Sequence, residues 1–157
     1  MPVKRKSWHE KLYYSKGLPK VIEINEKMSK RWGGGTVVIP APLEVDKLMK
    51  KVPMGKLITI NEIRAHMAKK HHATIGCPIT CGIFAWIAAN AAHESWQAGK
   101  KRITPYWRTL KNGGVINEKY PGGVKVQKRL LQKEGHKIVK KGKKHIVMDF
   151  ENRLVKL

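Results

Sequence analysis

The spacing of apolar positions changes along this chain, and the changes mark out its elements. Val45, Leu48, Met49 and Val52 recur at i, i+3, i+4 and i+7, one face of an amphipathic helix that closes before Pro53. Leu57 and Ile58 lead into a second helix, where Thr59 and Glu62 have capping-box spacing and Ile60, Ile63 and Met67 share a face that ends near His71. After the turn residues Gly76 and Pro78, a third helix runs to Ala92 with Ile79, Ile83 and Ile87 on every fourth position. These large side chains are expected to face the core, leaving Cys81, Gly82, Ala85, Ala89 and Ala92 as a small, uncharged outer face. Residues 59–92 are therefore a helix-turn-helix candidate. A major-groove reader wants Arg, Asn or Gln on its outer face, so this one suits close approach to a backbone or a narrow groove.

Shorter elements flank that unit. Ser7 and Glu10 open a short helix that carries Trp8 and Leu12 and stops at Gly17, and Gly33, Gly34 and Gly35 break the chain before the β-branched run Thr36-Val37-Val38-Ile39. Residues 1–40 read as a basic extension, with nine basic side chains against three acidic ones. They form either a phosphate-contacting arm or a packed layer, and Trp8, Tyr13, Tyr14 and Trp32 favour packing. Downstream, residues 93–104, with Lys100, Lys101 and Arg102, read as a surface loop or helix tail. Asn112-Gly113 marks a hairpin or tight loop, and Val124, Val126, Leu130 and Leu131 predict a helix with Gly135 as its stop. In residues 137–157, Ile138-Val139 and Ile146-Val147-Met148 flank Lys140, Lys141, Gly142, Lys143 and Lys144. This predicts a β-hairpin whose lysine tip suits phosphates.

Composition narrows the partner. The chain has 157 residues, 41% of them hydrophobic, enough for one domain with a real core. Its 33 Lys+Arg against 11 Asp+Glu give a formal charge of +22, which calls for a polyanionic partner. Nucleic acid comes first because each neutralised phosphate releases a counterion; anionic lipid and a simply cationic, ribosomal type of role are the alternatives. Cys77 and Cys81, four apart beside one helix, form no disulfide framework and fit a reducing cytoplasm. Lys4, Arg5 and Lys6 run into Ser-Trp-His-Glu and not into an apolar stretch, so the expected location is cytoplasmic, without a signal peptide. Residues 73–92 lack charge, but Gly76, Pro78, Thr80, Gly82 and Asn90 dilute their hydrophobicity, and a membrane span is not expected. The spacing of His66, His71, His72, Cys77 and Cys81 fits no ordinary zinc pattern, and no base stands at a fixed spacing to activate either thiol. Neither a metal nor any other cofactor is expected.

The order of parts then becomes specific. The run GKLITINEIRAHMA, Ala88-Ala89-Asn90, the block PYWRTLKNGGVINEKYPGG and the ending LLQKEG resemble the DNA-binding domain of O6-alkylguanine-DNA alkyltransferases and their alkyltransferase-like relatives, over residues 43–135. The resemblance implies a mostly α fold with small β elements. Residues 41–136 would form a winged helix-turn-helix entering the minor groove, residues 1–40 a basic extension, and residues 137–157 a hairpin packed on the same domain. The resemblance also places a reactive pocket. The active family's Pro-Cys-His-Arg motif reads Pro105-Tyr106-Trp107-Arg108 here, with Tyr106 at the cysteine position, Trp107 at the histidine position, and Arg108, Asn90 and Glu134 matching. A phenol with a pKa near about 10 and no adjacent base is a poor alkyl acceptor at neutral pH, so methyl transfer is not expected. Tyr106 and Trp107 either stack on a base or fill the pocket, and filling is preferred. The tyrosine that pushes the phosphate and the arginine that replaces a flipped base in the family are Ile60 and Cys81 here.

The expected DNA contacts are Thr59, Ile60, Thr80, Cys81, Gly82 and Ala85 along the helix pair, together with Arg108. Lys100, Lys101 and Arg102 join them after the third helix, and Lys140, Lys141, Lys143 and Lys144 at the hairpin tip. The leading reading is a module that binds duplex DNA through minor groove and phosphates without chemistry and without a small-molecule cofactor. Two other readings stay open at this stage: a repair transferase using another acceptor, and an RNA-binding or structural basic protein.

Overall fold

A computed structural model describes residues 6–157, so Lys4 and Arg5 of the amino-terminal reading lie outside the described residues. The fold is mixed α/β. Helices α1 (Trp8–Tyr13), α2 (Glu26–Trp32), α3 (Pro42–Lys50), α4 (Ile60–Lys70), α5 (Pro78–Gln97) and α6 (Gly123–Lys133) alternate with strands β1 (Lys20–Glu23), β2 (Thr36–Ile39), β3 (Ile58–Thr59), β4 (Ile75–Gly76), β5 (Thr109–Leu110), β6 (Ile138–Lys141) and β7 (Lys144–Val147). No helix among the described residues is long and apolar enough to cross a membrane.

The main core lies between α3, α4 and α5, where Val45, Leu48, Met49, Ile63 and Met67 meet Cys81, Ala85, Ala88 and Ala89. Residues between 8 and 39 contribute to it. Leu12 of α1 is buried there, and β2 runs antiparallel to β1 and parallel to β4, with Val37 opposite Ile75 and Val38 opposite Gly76. Trp8 packs edge-on against Trp86 at 4.9 Å between ring centroids, while Tyr13 and Tyr14 are exposed. Helix α1 ends at Tyr13 and not at Gly17, because Tyr14 turns extended at φ −81°, ψ 102°.

A second, smaller core holds the carboxy-terminal half. Leu57, Leu110, Ile116, Leu131 and Val147 bury one another, so the β6–β7 hairpin is anchored through Val147 and α6 through Leu131. The two clusters share Trp107 at their edges. Parallel pairing of β3 with β5 sets Ile58 against Thr109 and Thr59 against Leu110, which brings the start of α4 beside the Tyr106–Arg108 turn. Helix α5 continues past Ala92 to Gln97, so residues 93–97 are helix and not loop, and Gly99, at φ +89°, follows its end.

Candidate nucleic-acid interface

Helix α4 begins as its sequence predicts: the Thr59 N–H and hydroxyl both donate to the Glu62 carboxylate, at 2.8 and 2.7 Å. Asn112 adds a second tie at that end by accepting from the Asn61 N–H at 3.0 Å. The turn into α5 is fixed by close packing, since a Cβ on Gly76 would lie 2.5 Å from the Arg64 carbonyl oxygen. The Arg64 guanidinium donates to the Gly76 carbonyl at 2.8 Å. Pro78 then occupies the first turn of α5, where its missing N–H costs no intrahelical bond.

The orientation of α5 is the reverse of the one its isoleucines predict. Cys81, Ala85, Ala88 and Ala89 are wholly buried, whereas Ile79 is 59% and Ile83 44% exposed. Small residues turn inward because α5 packs closely on its neighbours, and a narrow side-chain layer lets backbones approach while still excluding water. Cys81 and Ala85 are therefore core residues and not groove contacts. Thr59, 3% exposed, spends its polar groups on Glu62 and is likewise no surface contact. Thr80 is only partly exposed, and its hydroxyl is buried without a partner.

What faces out from the first half of α5 is a groove of about 640 Å³. Its floor is Ile60, Pro78, Ile79, Gly82, Ile83 and Trp86; Lys111, Asn112, Asn117 and Lys119 form its rim. Ile60 and Gly82 were expected at such a surface. Lys111 and Lys119 were not, because in sequence they are isolated lysines near glycine-rich turns, and long-range ties, the parallel β3–β5 pairing and the Asn61–Asn112 bond among them, bring their segment to the groove. Lys100, Lys101 and Arg102 are exposed after α5, as are Lys140, Lys141, Lys143 and Lys144 around Gly142 at the hairpin tip.

The Tyr106 region forms a second concavity. Tyr106 is 4% exposed, and its ring meets Trp107 and Tyr120 edge to face at 5.5 and 6.0 Å. A cavity of about 300 Å³ remains beside it, lined by Tyr106, Trp107, Pro121 and Val126, with His93, Lys101 and Arg129 as its basic members. The Tyr106 hydroxyl donates to the Pro121 carbonyl at 3.4 Å. Burial pushes its phenol above the ordinary value, outweighing the opposing charge of Arg129, so it stays protonated at neutral pH.

Trp107 and Arg108 both direct their N–H groups to Glu134. The Trp107 indole N–H donates to Glu134 at 2.8 Å, and Arg108 Nε and Nη2 donate to the same carboxylate at 2.9 Å each. Arg108 Nη1 is taken by the Val52 carbonyl at 2.8 Å and the side chain is 12% exposed, so Arg108 is a buried tie and not a phosphate contact. Asn90 bonds back along its own helix, to the Trp86 carbonyl at 2.9 Å. Burial, and to a lesser degree the neighbouring Cys77, pushes the Cys81 thiol up to about 12, which removes it as a nucleophile. His71 is engaged by Glu44 at 2.7 Å, and no group of three or more potential metal ligands converges among the described residues.

The fold that carries these two concavities is similar to that of alkyltransferase-like structures solved with DNA. S. pombe Atl1, in complex with damaged DNA containing O6-carboxymethylguanine, superposes with a TM-score of 0.53 at 20% identity, over 74% of this chain and 94% of Atl1. S. pombe ATL in complex with DNA matches with a TM-score of 0.52 at 16% identity over the same shares of the two chains. No family model matches the chain, and no curated protein does.

Proposed function

We propose that this protein is an alkyltransferase-like DNA-binding module that holds duplex DNA through its minor groove and phosphates, without methyl transfer, in the context of alkylation damage. The observation that carries the reading is the α5 groove: an apolar floor, a rim bearing Lys111 and Lys119, and a chain charge of +22. A surface of that kind suits a polyanion whose grooves offer sugar and base edges between two phosphate rows. The fold likeness supports it, since Atl1 is solved in complex with damaged DNA. In this reading the β6–β7 hairpin is the wing and lays its four tip lysines along one backbone. The absence of methyl transfer follows from chemistry, because the acceptor position holds a buried, protonated phenol and the Cys81 thiol, elsewhere in the core, is protonated too.

Two measurements test it. Anisotropy titrations with a labelled duplex should show log K falling linearly with log salt, with a slope that counts the phosphates engaged. A flat response, or equal preference for RNA at matched salt, would sink the duplex reading. Intact-protein mass after incubation with O6-methylguanine duplex should remain unchanged; an added methyl group would make the protein an enzyme.

A further inference from the structure

The groove face of α5 holds one glycine that the protein's own packing does not require. A Cβ on Gly82 would meet nothing within 4 Å, in contrast to Gly76, which Arg64 backbone atoms crowd. Gly82 lies inside α5, in its second turn, where glycine is destabilising relative to alanine. A helix that keeps an unfavourable residue at a position with free space above it is leaving clearance for something outside the chain.

The neighbours of Gly82 say what that something meets. Ile79 and Ile83 flank it, more than two-fifths exposed, and Pro78 and Ile60 extend the apolar surface. Trp86 stands one turn further on and is fixed, because its indole N–H donates to the Lys119 carbonyl at 3.1 Å and Trp8 packs edge-on against it. Single exposed isoleucines are ordinary, but these are contiguous and rimmed by lysines. We propose that Ile79 and Ile83 are a wedge that enters a base step of duplex DNA, that Gly82 is the notch letting the helix backbone close on the strand, and that Trp86 is the rigid stop behind it. Apolar side chains driven between base pairs from the minor groove unstack the step and kink the duplex towards the major groove. The inference rests on duplex binding, which is followed separately in the test.

The test uses the full chain and a duplex with 2-aminopurine at its centre and a fluorophore pair at its ends. Saturating wild-type protein should raise the 2-aminopurine emission severalfold, as unstacking does, and shorten the end-to-end distance. Ile79→Ala with Ile83→Ala should lower affinity by about tenfold or more, on the scale of burying one isoleucine side chain, and abolish both optical changes while the salt slope is kept. Gly82→Ala should raise the melting temperature of the free protein and yet weaken binding. Lys111→Gln with Lys119→Gln should do the converse of the wedge variant, giving a shallower salt slope with unstacking retained at saturation. Duplex binding without any rise in emission overturns the wedge and leaves the DNA reading standing; no duplex binding overturns both. A Gly82→Ala protein that binds as tightly as wild type overturns the notch. Self-association abolished by the isoleucine substitutions would make the face a contact between copies and overturn the proposal.

Discussion

Glu134 accepts from Arg108 through two nitrogens, from the Trp107 indole, and from the Gly55 N–H at 3.3 Å, and its side chain is only 7% exposed. Replacing it by alanine leaves the Arg108 guanidinium, itself 12% exposed, without its counter-charge. Removing one partner of a buried, hydrogen-bonded pair costs about 3–5 kcal/mol, because the remaining ion is still desolvated. At about 2–4 °C per kcal/mol for a chain of this size, Glu134→Ala should melt about 6–20 °C below wild type. Urea unfolding at neutral pH measures the same loss as a shift in midpoint. Arg108→Met combined with Glu134→Leu should recover most of it, since no charge is then left buried. The pair also sets a pH dependence. Burial raises the Glu134 carboxyl, but hydrogen bonds from Arg108, Trp107 and Gly55 and the Arg108 charge outweigh it, and the net value is lowered. A lowered folded-state value means the contribution is complete above the unfolded carboxylate value of about 4.3 and is lost as pH falls through the folded value. Wild type minus Glu134→Gln stability should therefore shrink on acidification in that window and stay constant above it. A Glu134→Ala protein within about 1 kcal/mol of wild type would refute the reasoning.

Three other outcomes follow from the geometry. Alanine at Lys140, Lys141, Lys143 and Lys144 together should weaken duplex binding for all sequences alike and flatten the salt slope, read by anisotropy, with melting temperature unchanged. Cys81, with its thiol pushed up to about 12, should resist iodoacetamide at pH 8 in the folded protein and react at the ordinary rate in urea, as peptide mass mapping reports. Trp107→Ala should cost about 3 kcal/mol of stability, the low end for a tryptophan because the ring is only partly buried, with no selective loss for O6-alkylguanine over plain duplex. A stable Trp107→Ala protein that loses lesion preference would place the ring against an extruded base.

The sequence carries the helix pair legibly, because its signals are local: the Thr59–Glu62 cap, the Gly76-Pro78 turn and the fourfold isoleucine spacing each act within a few residues. The facing of α5 is not legible from periodicity. The helix is apolar on nearly every side, so the isoleucine row and the cysteine–alanine row compete for the core. Shape decides in favour of the row that lets α3 come close. Size misleads here, since the larger residues carry more hydrophobic surface and sit outside. The rim lysines are hidden for a different reason. Lys111 reaches the groove through β3–β5 pairing across some fifty residues, and Lys119 through the Trp86 indole bond to its carbonyl, which no local pattern encodes. Arg108 and Glu134 were legible as matching positions of the resemblance, but their pairing and burial, which turn Arg108 from an expected DNA contact into a structural tie, are tertiary facts.

The anchoring of α1 bears on how this chain comes off the ribosome. Glu94 caps α1 by accepting from the Trp8 and His9 N–H groups, at sequence separations of 86 and 85 residues. At about 5–20 residues per second, the amino-terminal helix is made roughly 4–17 s before the carboxylate that seats it. Until α5 is made, Trp8 lacks Trp86 and α1 has α3 but not α5 to pack on, while β2 pairs with β1 and waits for β4 until residues 75–76 appear. The basic segment of residues 6–40 is thus incompletely docked while the rest of the chain is made. Synthesis in the presence of excess polyanion should therefore retard docking of residues 8–13 without slowing the α3–α4 contact, an order that pulsed proteolysis of stalled chains can read.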